Sequence, residues 1–111
     1  MTEQEILKGN KIIAEFEGIS YWVNYDEDYS RLMSVVEKIS KFKFEDGENA
    51  YFRTFGMINI ETGMFMSRIN RCQVFEAETL KTAIWLSVVD WCRQDYRYEK
   101  VKTQRNLSIA I

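Results

Sequence analysis

One long segment, residues 76–98, constrains the fold of this chain more than any other part of its sequence. On a helix, its apolar side chains cover about half of the circumference, whereas a one-sided surface helix needs an arc only somewhat wider than about 100°. These side chains are Leu80, Ile84, Trp85, Val88, Val89, Trp91, Cys92 and Tyr96. We therefore expect the helix to pack against two neighbours at once. The margin expected to face a sheet comprises Leu80, Ile84 and Val88, and the margin expected to face a second helix or subunit comprises Trp85, Val89 and Tyr96.

The length and composition indicate one folded domain. A chain of 111 residues can bury a single hydrophobic core without metal ions or disulfides. Its hydrophobic fraction of 46% and charged fraction of 29% are typical of a folded protein rather than a disordered one. We predict a single α+β domain over residues 1–100 and a C-terminal tail over residues 101–111.

The N-terminal residues predict a first helix over 3–16. Thr2 and Glu5 have the spacing of a capping box, in which each side chain binds the backbone N–H of the other residue. Gly9 and Asn10 weaken the middle of this helix, so a strand over 11–16 remains an alternative.

The remaining elements follow from hydrophobic periodicity and turn residues. β-Branched and aromatic residues predict a strand over 19–25, and helical periodicity predicts a helix over 30–42. Strand-like runs over 51–60 and 64–70, separated by Glu-Thr-Gly, predict a β-hairpin. The resulting order, α-β-α-β-β-α, indicates an α+β fold in which a small, mainly antiparallel sheet is packed with helices.

The last five residues, Leu-Ser-Ile-Ala-Ile, alternate large apolar side chains with small ones. They fit an edge strand added to the sheet of this chain or of a neighbouring subunit. A frayed terminus is an equal alternative, because chain ends are commonly disordered.

The residue inventory disfavours an enzyme. The chain has no histidine, which removes the commonest general base and the usual ligand of transition metals. Neither glycine-rich phosphate-binding motif occurs. Carboxylates from Asp26 to Glu37 imitate the spacing of a calcium loop, but Arg31 replaces its required glycine. We predict no catalytic residues, no metal site and no cofactor.

The predicted hairpin suggests a nucleic-acid surface as an alternative function. Strand alternation places Tyr51, Arg53, Phe55 and Met57 on one face and Phe52, Ile58 and Ile60 on the other. Such aromatic and basic mixtures stack single-stranded bases, although an ordinary sheet covered on both faces has the same pattern, and the pI of about 5.2 is low for such a module. A small nucleic-acid or nucleotide-binding module would use this hairpin face and the basic run near the C-terminus. The candidate contacts are Tyr51, Arg53, Phe55 and Arg68 on the hairpin, and Arg93 and Arg97 in the basic run.

Three blocks of the chain resemble small proteins of bacteriophage and Bacteroidetes genomes. The blocks are NKIIAEFEG at 10–18, LMSVVEKI at 32–39 and AIWLSVVDW at 83–91. The corresponding patterns in that family are N-K-L-I-A-E-F-M-G, W-L-M-P-V-V-E-K-I and A-V-V-E-F-I-K-W-Y. The chain departs from them at Arg31 and Ser34, and residues 45–71 have no counterpart. The resemblance implies a phage or bacterial setting and transfers no catalytic residue.

We therefore expect a non-enzymatic accessory protein of a phage or mobile element that acts through protein–protein interaction. Inhibition of a host defence system fits this setting, as does a homodimer or larger homo-oligomer. The expected partner contacts are Trp85, Leu86, Val89 and Tyr96. No apolar run reaches the roughly 20 residues of a membrane helix, and the acidic N-terminus does not resemble a signal peptide, so we expect the cytoplasm of the bacterial host and no membrane.

Overall fold

The computed structural model describes residues 1–44 and 46–93, which contain three helices and a three-stranded antiparallel sheet. The predicted α+β class is confirmed. The order of the described elements is α-α-β-β-β-α, because one predicted strand is a loop and one strand was not predicted. The predicted tail at residues 101–111 lies outside the described residues.

Helix α1 spans Glu3–Glu17 and begins at the predicted capping box. The Thr2 hydroxyl oxygen accepts a hydrogen bond from the Glu5 backbone N–H at 3.1 Å, and the Glu5 carboxylate accepts one from the Thr2 backbone N–H at 3.4 Å. These bonds satisfy donors that a helix N-terminus otherwise leaves unpaired. The helix runs unbroken through Gly9 and Asn10, so the alternative of a strand over 11–16 is wrong.

The strand predicted over 19–25 is also wrong, because this segment is a loop between two helices. Gly18 has a φ of 73°, in the left-handed region, and the Ile19 backbone N–H donates to the Ala14 carbonyl oxygen at 3.1 Å. This Schellman-type ending terminates α1 and begins the loop. Helix α2 then spans Tyr29–Ser40, close to the predicted 30–42, and Asp28 caps it.

The sheet consists of β1 (Phe52–Ile58), β2 (Phe65–Ile69) and β3 (Phe75–Ala77), in that order. Strands β1 and β2 form the predicted hairpin. Strand β3 was not predicted, since three residues are too few to show a period of two. The sequence pattern assigned Glu76 to the long helix, whereas it lies opposite Met66 in the sheet.

Two bulges in β1 change which of its side chains share a face. Register shifts follow Phe52 and Phe55, and these two residues lie opposite Ile69 and Ser67. Ile69 and Ser67 share one face of β2, and directly opposed residues share a face, so Phe52 and Phe55 lie together. Their ring centroids are 5.3 Å apart. The predicted separation of Phe52 from Phe55 by strict alternation is therefore wrong, because each bulge inserts an extra residue.

Helix α3 spans Leu80–Arg93, starting four residues later than predicted. Its N-terminus is held by Thr79, whose hydroxyl oxygen accepts a hydrogen bond from the Thr82 backbone N–H at 3.2 Å. The helix packs against β2 and β3 on one side and against α1 on the other. Two-sided packing, as the wide apolar arc predicted, is confirmed.

Candidate functional site

Two of the three predicted partner contacts on the described part of α3 are buried inside the folded chain. Trp85 is 2% exposed and Val89 is 5% exposed, and both pack against Gly9 of α1, which is the second helix of the prediction. Leu86 is half-buried and lines a depression of about 310 Å³ between α1, α3 and β3. Tyr96 lies outside the described residues. As a correction to the predicted set, Trp85 and Val89 are almost completely buried within the chain, and Leu86 is the one described member with substantial exposure.

The predicted nucleic-acid contacts do not form one surface. Those that are exposed are Tyr51, Arg53, Phe55 and Arg93. Arg68 is half-buried, and its Nε donates to the Cys72 carbonyl oxygen at 2.9 Å. Because Phe55 lies opposite Ser67, the neighbour of Arg68 along β2, Phe55 and Arg68 occupy opposite faces of the sheet. Arg97 lies outside the described residues.

A cluster of exposed aromatic rings lies elsewhere, on the loop between α1 and α2. Tyr21 is 59% exposed, Trp22 is 53% exposed, and Tyr29, the first residue of α2, is 40% exposed. Tyrosine and tryptophan combine a large apolar ring with a polar group, which suits them to surfaces that become buried on binding. We refer to Tyr21, Trp22 and Tyr29, together with the neighbouring Glu27 and Asp28, as the loop surface.

Asn24 holds the loop that carries this surface. Its side-chain oxygen accepts a hydrogen bond from the Trp22 indole N–H at 2.6 Å. Its backbone carbonyl oxygen accepts bonds from the N–H groups of Glu27 and Asp28 at 3.0 and 2.9 Å. The hydrogen bond to Asn24 therefore favours one orientation of the exposed indole.

Beneath the loop, the Glu17 carboxylate links the end of α1 to the loop and to α2. This side chain is 1% exposed and accepts hydrogen bonds from the Tyr25 hydroxyl at 2.6 Å and from the Lys38 ammonium group. The Arg31 Nε lies 3.4 Å from the same carboxylate, and the Arg31 guanidinium donates to the Tyr21 hydroxyl at 3.1 Å. A continuous series of contacts thus runs from buried Glu17 to exposed Tyr21.

These contacts shift the pKa values of the buried groups. Burial raises the pKa of the Glu17 carboxyl group, but the hydrogen bonds from Lys38 and Tyr25 and the charges of Lys38 and Arg31 outweigh it, so that the pKa lies below 4.5. Burial, the hydrogen bond to Glu17 and the negative charge of Glu17 raise the pKa of Tyr25 above its ordinary 10.0. At neutral pH the carboxylate is therefore the acceptor and the phenol the donor.

We expect Glu17→Gln to destabilise the protein at neutral pH by about 1 kcal/mol, because the cationic partners are partly exposed. A carboxylate whose pKa is lower in the folded state stabilises the fold above its unfolded pKa, and this contribution is lost as the pH falls through its folded pKa. In urea titrations between about pH 6 and pH 3, the free energy of unfolding should therefore fall more steeply for wild type than for Glu17→Gln. Glu37→Gln, at an exposed position of α2, should keep the wild-type slope. Equal slopes for Glu17→Gln and wild type would contradict the prediction.

A second buried contact ties the loop to α1 and α3. Asn10 is 1% exposed, its amide nitrogen donates to the Asp26 carboxylate at 2.8 Å, and its amide oxygen accepts from the Trp85 indole N–H at 2.9 Å. Buried polar groups are stable when they are paired in this way. The loop is therefore anchored at Asp26 as well as at Tyr25.

Trp22 forms a ridge between two surface depressions. One, of about 400 Å³, lies beside α1 and is lined in part by Ala14 and Ile19. The other, of about 670 Å³, is shallower and is lined in part by Glu27 and Asp28. The two depressions that Trp22 lines thus differ in chemistry: one is mainly apolar and the other carries two carboxylates.

The acidic depression keeps its negative charge available. Glu27 and Asp28 are exposed, and neither forms an ion pair with any residue that the structure describes. Arg31 also lines this depression but is engaged by Glu17. Lys81 lies nearby, with its Nζ donating to the Glu27 backbone carbonyl oxygen at 3.2 Å. Neither carboxylate has an ionic partner among the described residues, although one oxygen of Asp28 accepts the Arg31 backbone N–H at 3.0 Å as the cap of α2.

Sequence reasoning missed the loop surface because it assigned Tyr21 and Trp22 to a strand over 19–25. In a strand, Tyr21 and Tyr25 would share one face, whereas Tyr25 is fully buried and Tyr21 is largely exposed. A usable signal was present in Gly18 and Asp28, a helix-ending and a helix-starting residue. They leave a short connection between two helices, which is a common place for a loop.

Within residues 1–44 and 46–93, no three His, Cys, Asp or Glu side chains are grouped so that they could hold a metal ion. In the same ranges, no helix has the length and apolar character needed to cross a membrane. Comparison of the chain with protein-family models, curated proteins and solved structures gives no match. Function must therefore be argued from the loop surface itself.

Proposed function

We propose that this protein acts by binding another protein through the loop surface, without catalysing a reaction. The observation that carries the proposal is the exposure of Tyr21 and Trp22 on a loop that hydrogen bonds hold in place. Tryptophan, tyrosine and arginine dominate the residues whose truncation weakens protein interfaces most. A loop that is already ordered loses less conformational entropy when it binds.

We further propose that the partner is a host protein, namely a component of a defence system that this protein inhibits. Support for this choice comes from the resemblance to small proteins of phage and Bacteroidetes genomes. The loop surface is compatible with such a role, because an inhibitor that occupies a surface needs shape and contact area but no catalytic group.

Nucleic-acid binding has less support than protein binding as the function of this chain. Phe55 and Arg68 lie on opposite faces of the sheet, so the predicted basic and aromatic set is divided between two faces. The loop surface carries Glu27 and Asp28, whose carboxylates would repel phosphate groups.

We expect Trp22→Ala to prevent capture of the partner while leaving the fold intact, because the side chain is 53% exposed. The tagged protein would be cross-linked in bacterial cells, purified and analysed by quantitative mass spectrometry. The matched control is Met57→Ala, which removes a side chain of 57% exposure from β1. A partner should be retained by wild type and Met57→Ala but depleted at least about tenfold with Trp22→Ala. Retention of every captured protein by Trp22→Ala would contradict the proposal.

The same two variants test the choice of partner. In hosts that carry a defence system, expression of wild type or Met57→Ala should restore plating of a sensitive phage, and expression of Trp22→Ala should not. Equal plating with and without the wild-type protein would contradict the defence proposal but would not affect the binding proposal.

A further inference from the structure

We propose that the loop surface binds an extended, basic peptide segment of its partner, with a hydrophobic residue and a lysine or arginine two positions apart. This inference rests on the proposed function and adds the chemistry of the partner. It follows from the two depressions on either side of Trp22 and from the charge of one of them.

The depression beside α1 suits the hydrophobic side chain. Ile19 lines it together with the rings of Tyr21 and Trp22, which offers aliphatic and aromatic contact area. The charged residues that also line it, Lys11 and Glu15, have opposite signs. This depression therefore selects for apolar character without a strong preference for charge.

The second depression suits a cation. Glu27 and Asp28 line it without ionic partners among the described residues, and Trp22 and Tyr29 contribute the aromatic rings that attract ammonium and guanidinium groups. An anionic side chain would meet like charge. Arg31 also lines this depression, but its positive charge is partly balanced by the Glu17 carboxylate, which lies 3.4 Å from its Nε.

The spacing of the two side chains follows from the position of Trp22, which lines both depressions. In an extended segment, side chains two residues apart point to the same face and lie about 7 Å apart. That distance is enough for one side chain to pass on each side of an indole ring. A hydrophobic residue and a basic residue at positions i and i+2 therefore match the surface.

The test uses the full chain, labelled with nitrogen-15, and three synthetic peptides. The first alternates leucine and lysine on one face, with serine between them (Leu-Ser-Lys-Ser-Leu-Ser-Lys). The second replaces each lysine with glutamate, and the third replaces each leucine with glycine. Of the three tryptophans, only Trp22 is exposed, since Trp85 and Trp91 are 2% and 0% exposed. The NMR signal of its indole N–H reports binding at Trp22. This signal is assigned by its loss from the spectrum of Trp22→Phe.

We expect the leucine–lysine peptide to shift the Trp22 indole signal in a saturable manner, and the other two peptides to bind at least about tenfold more weakly. Glu27→Gln should weaken binding of the leucine–lysine peptide about 2- to 5-fold, as expected for one exposed charge pair. The control Glu61→Gln makes the same change of charge on the exposed hairpin turn and should leave the affinity unchanged. High salt should reduce the effect of Glu27→Gln.

Equal or tighter binding of the leucine–glutamate peptide, or no shift with any peptide, would overturn the inference. Trp22-dependent dimerisation in light scattering would also overturn it, because the occupant would then be a second copy of this chain. The proposed function is decided separately by capture with Trp22→Ala. A captured partner that cross-links to the loop surface through an acidic segment would support that function while overturning the basic segment.

Discussion

Trp91→Ala should lower the free energy of unfolding by about 3–5 kcal/mol, which is the usual range when a buried tryptophan is truncated to alanine. Trp91 lies on α3 and is 0% exposed. Its ring contacts Phe16 of α1 at 5.4 Å between centroids and Phe42, just after α2, at 5.1 Å in an edge-to-face arrangement. Truncation would leave a cavity between α3, α1 and the segment that follows α2.

The matched control is Trp22→Ala, which removes the same side chain from a site that is 53% exposed. We expect this variant to lie within about 0.5 kcal/mol of wild type in urea titrations followed by circular dichroism. A loss for Trp91→Ala of less than about 1 kcal/mol, or a similar loss for both variants, would contradict the described core. The comparison also establishes that Trp22→Ala is folded, which the binding experiments require.

Gly9→Ala should destabilise the protein by about 2 kcal/mol, although alanine is favoured over glycine in a helix by about 1 kcal/mol. An added Cβ would lie 2.5 Å from Cη2 of Trp85, nearer still to Cζ2, and 3.1 Å from Cγ2 of Val89. The indole ring cannot move away without losing the hydrogen bond from its N–H to Asn10. The close approach of α1 to α3 therefore requires glycine at this position.

A double-mutant cycle with Trp85→Leu tests the cause. Trp85→Leu removes the ring that an alanine at position 9 would contact, so Gly9→Ala in that background should be neutral or stabilising. The comparison is made within that background because Trp85→Leu has a cost of its own. If Gly9→Ala destabilises both backgrounds equally, the ring contact is not the reason for glycine.

The sequence predictions were accurate where an element is determined by contacts between neighbouring residues and wrong where it is determined by contacts between distant ones. The start of α1 was predicted because Thr2 and Glu5 bind each other within one helical turn. The loop that contains residues 19–25 was not predicted, because the composition of this segment suits a strand. The contacts that hold the loop join Tyr25 to Glu17 and the following Asp26 to Asn10. The candidate site lies in this loop and was missed for the same reason.

The sheet also combines features set by neighbouring residues with features set by pairing between distant ones. The hairpin was predicted from its strand-like runs and its glycine-containing turn, but the bulges after Phe52 and Phe55 were not, and they changed which side chains share a face. Bulges arise from the pairing of β1 with β2 and have no reliable signature within β1 alone. The predicted nucleic-acid surface depended on that alternation, and the observed register places Phe55 and Arg68 on opposite faces.

The sequence by itself determined the α+β class, the two amphipathic helices α1 and α2, the hairpin and the two-sided burial of α3. These features depend on periodicity and capping within a few neighbouring residues. Only the tertiary structure decided that α1 covers Trp85 and Val89, and that Tyr21 and Trp22 are the exposed rings. The physical reason is that such outcomes depend on contacts between residues far apart in the chain, such as the hydrogen bond that joins Asn10 and Trp85 across 75 positions.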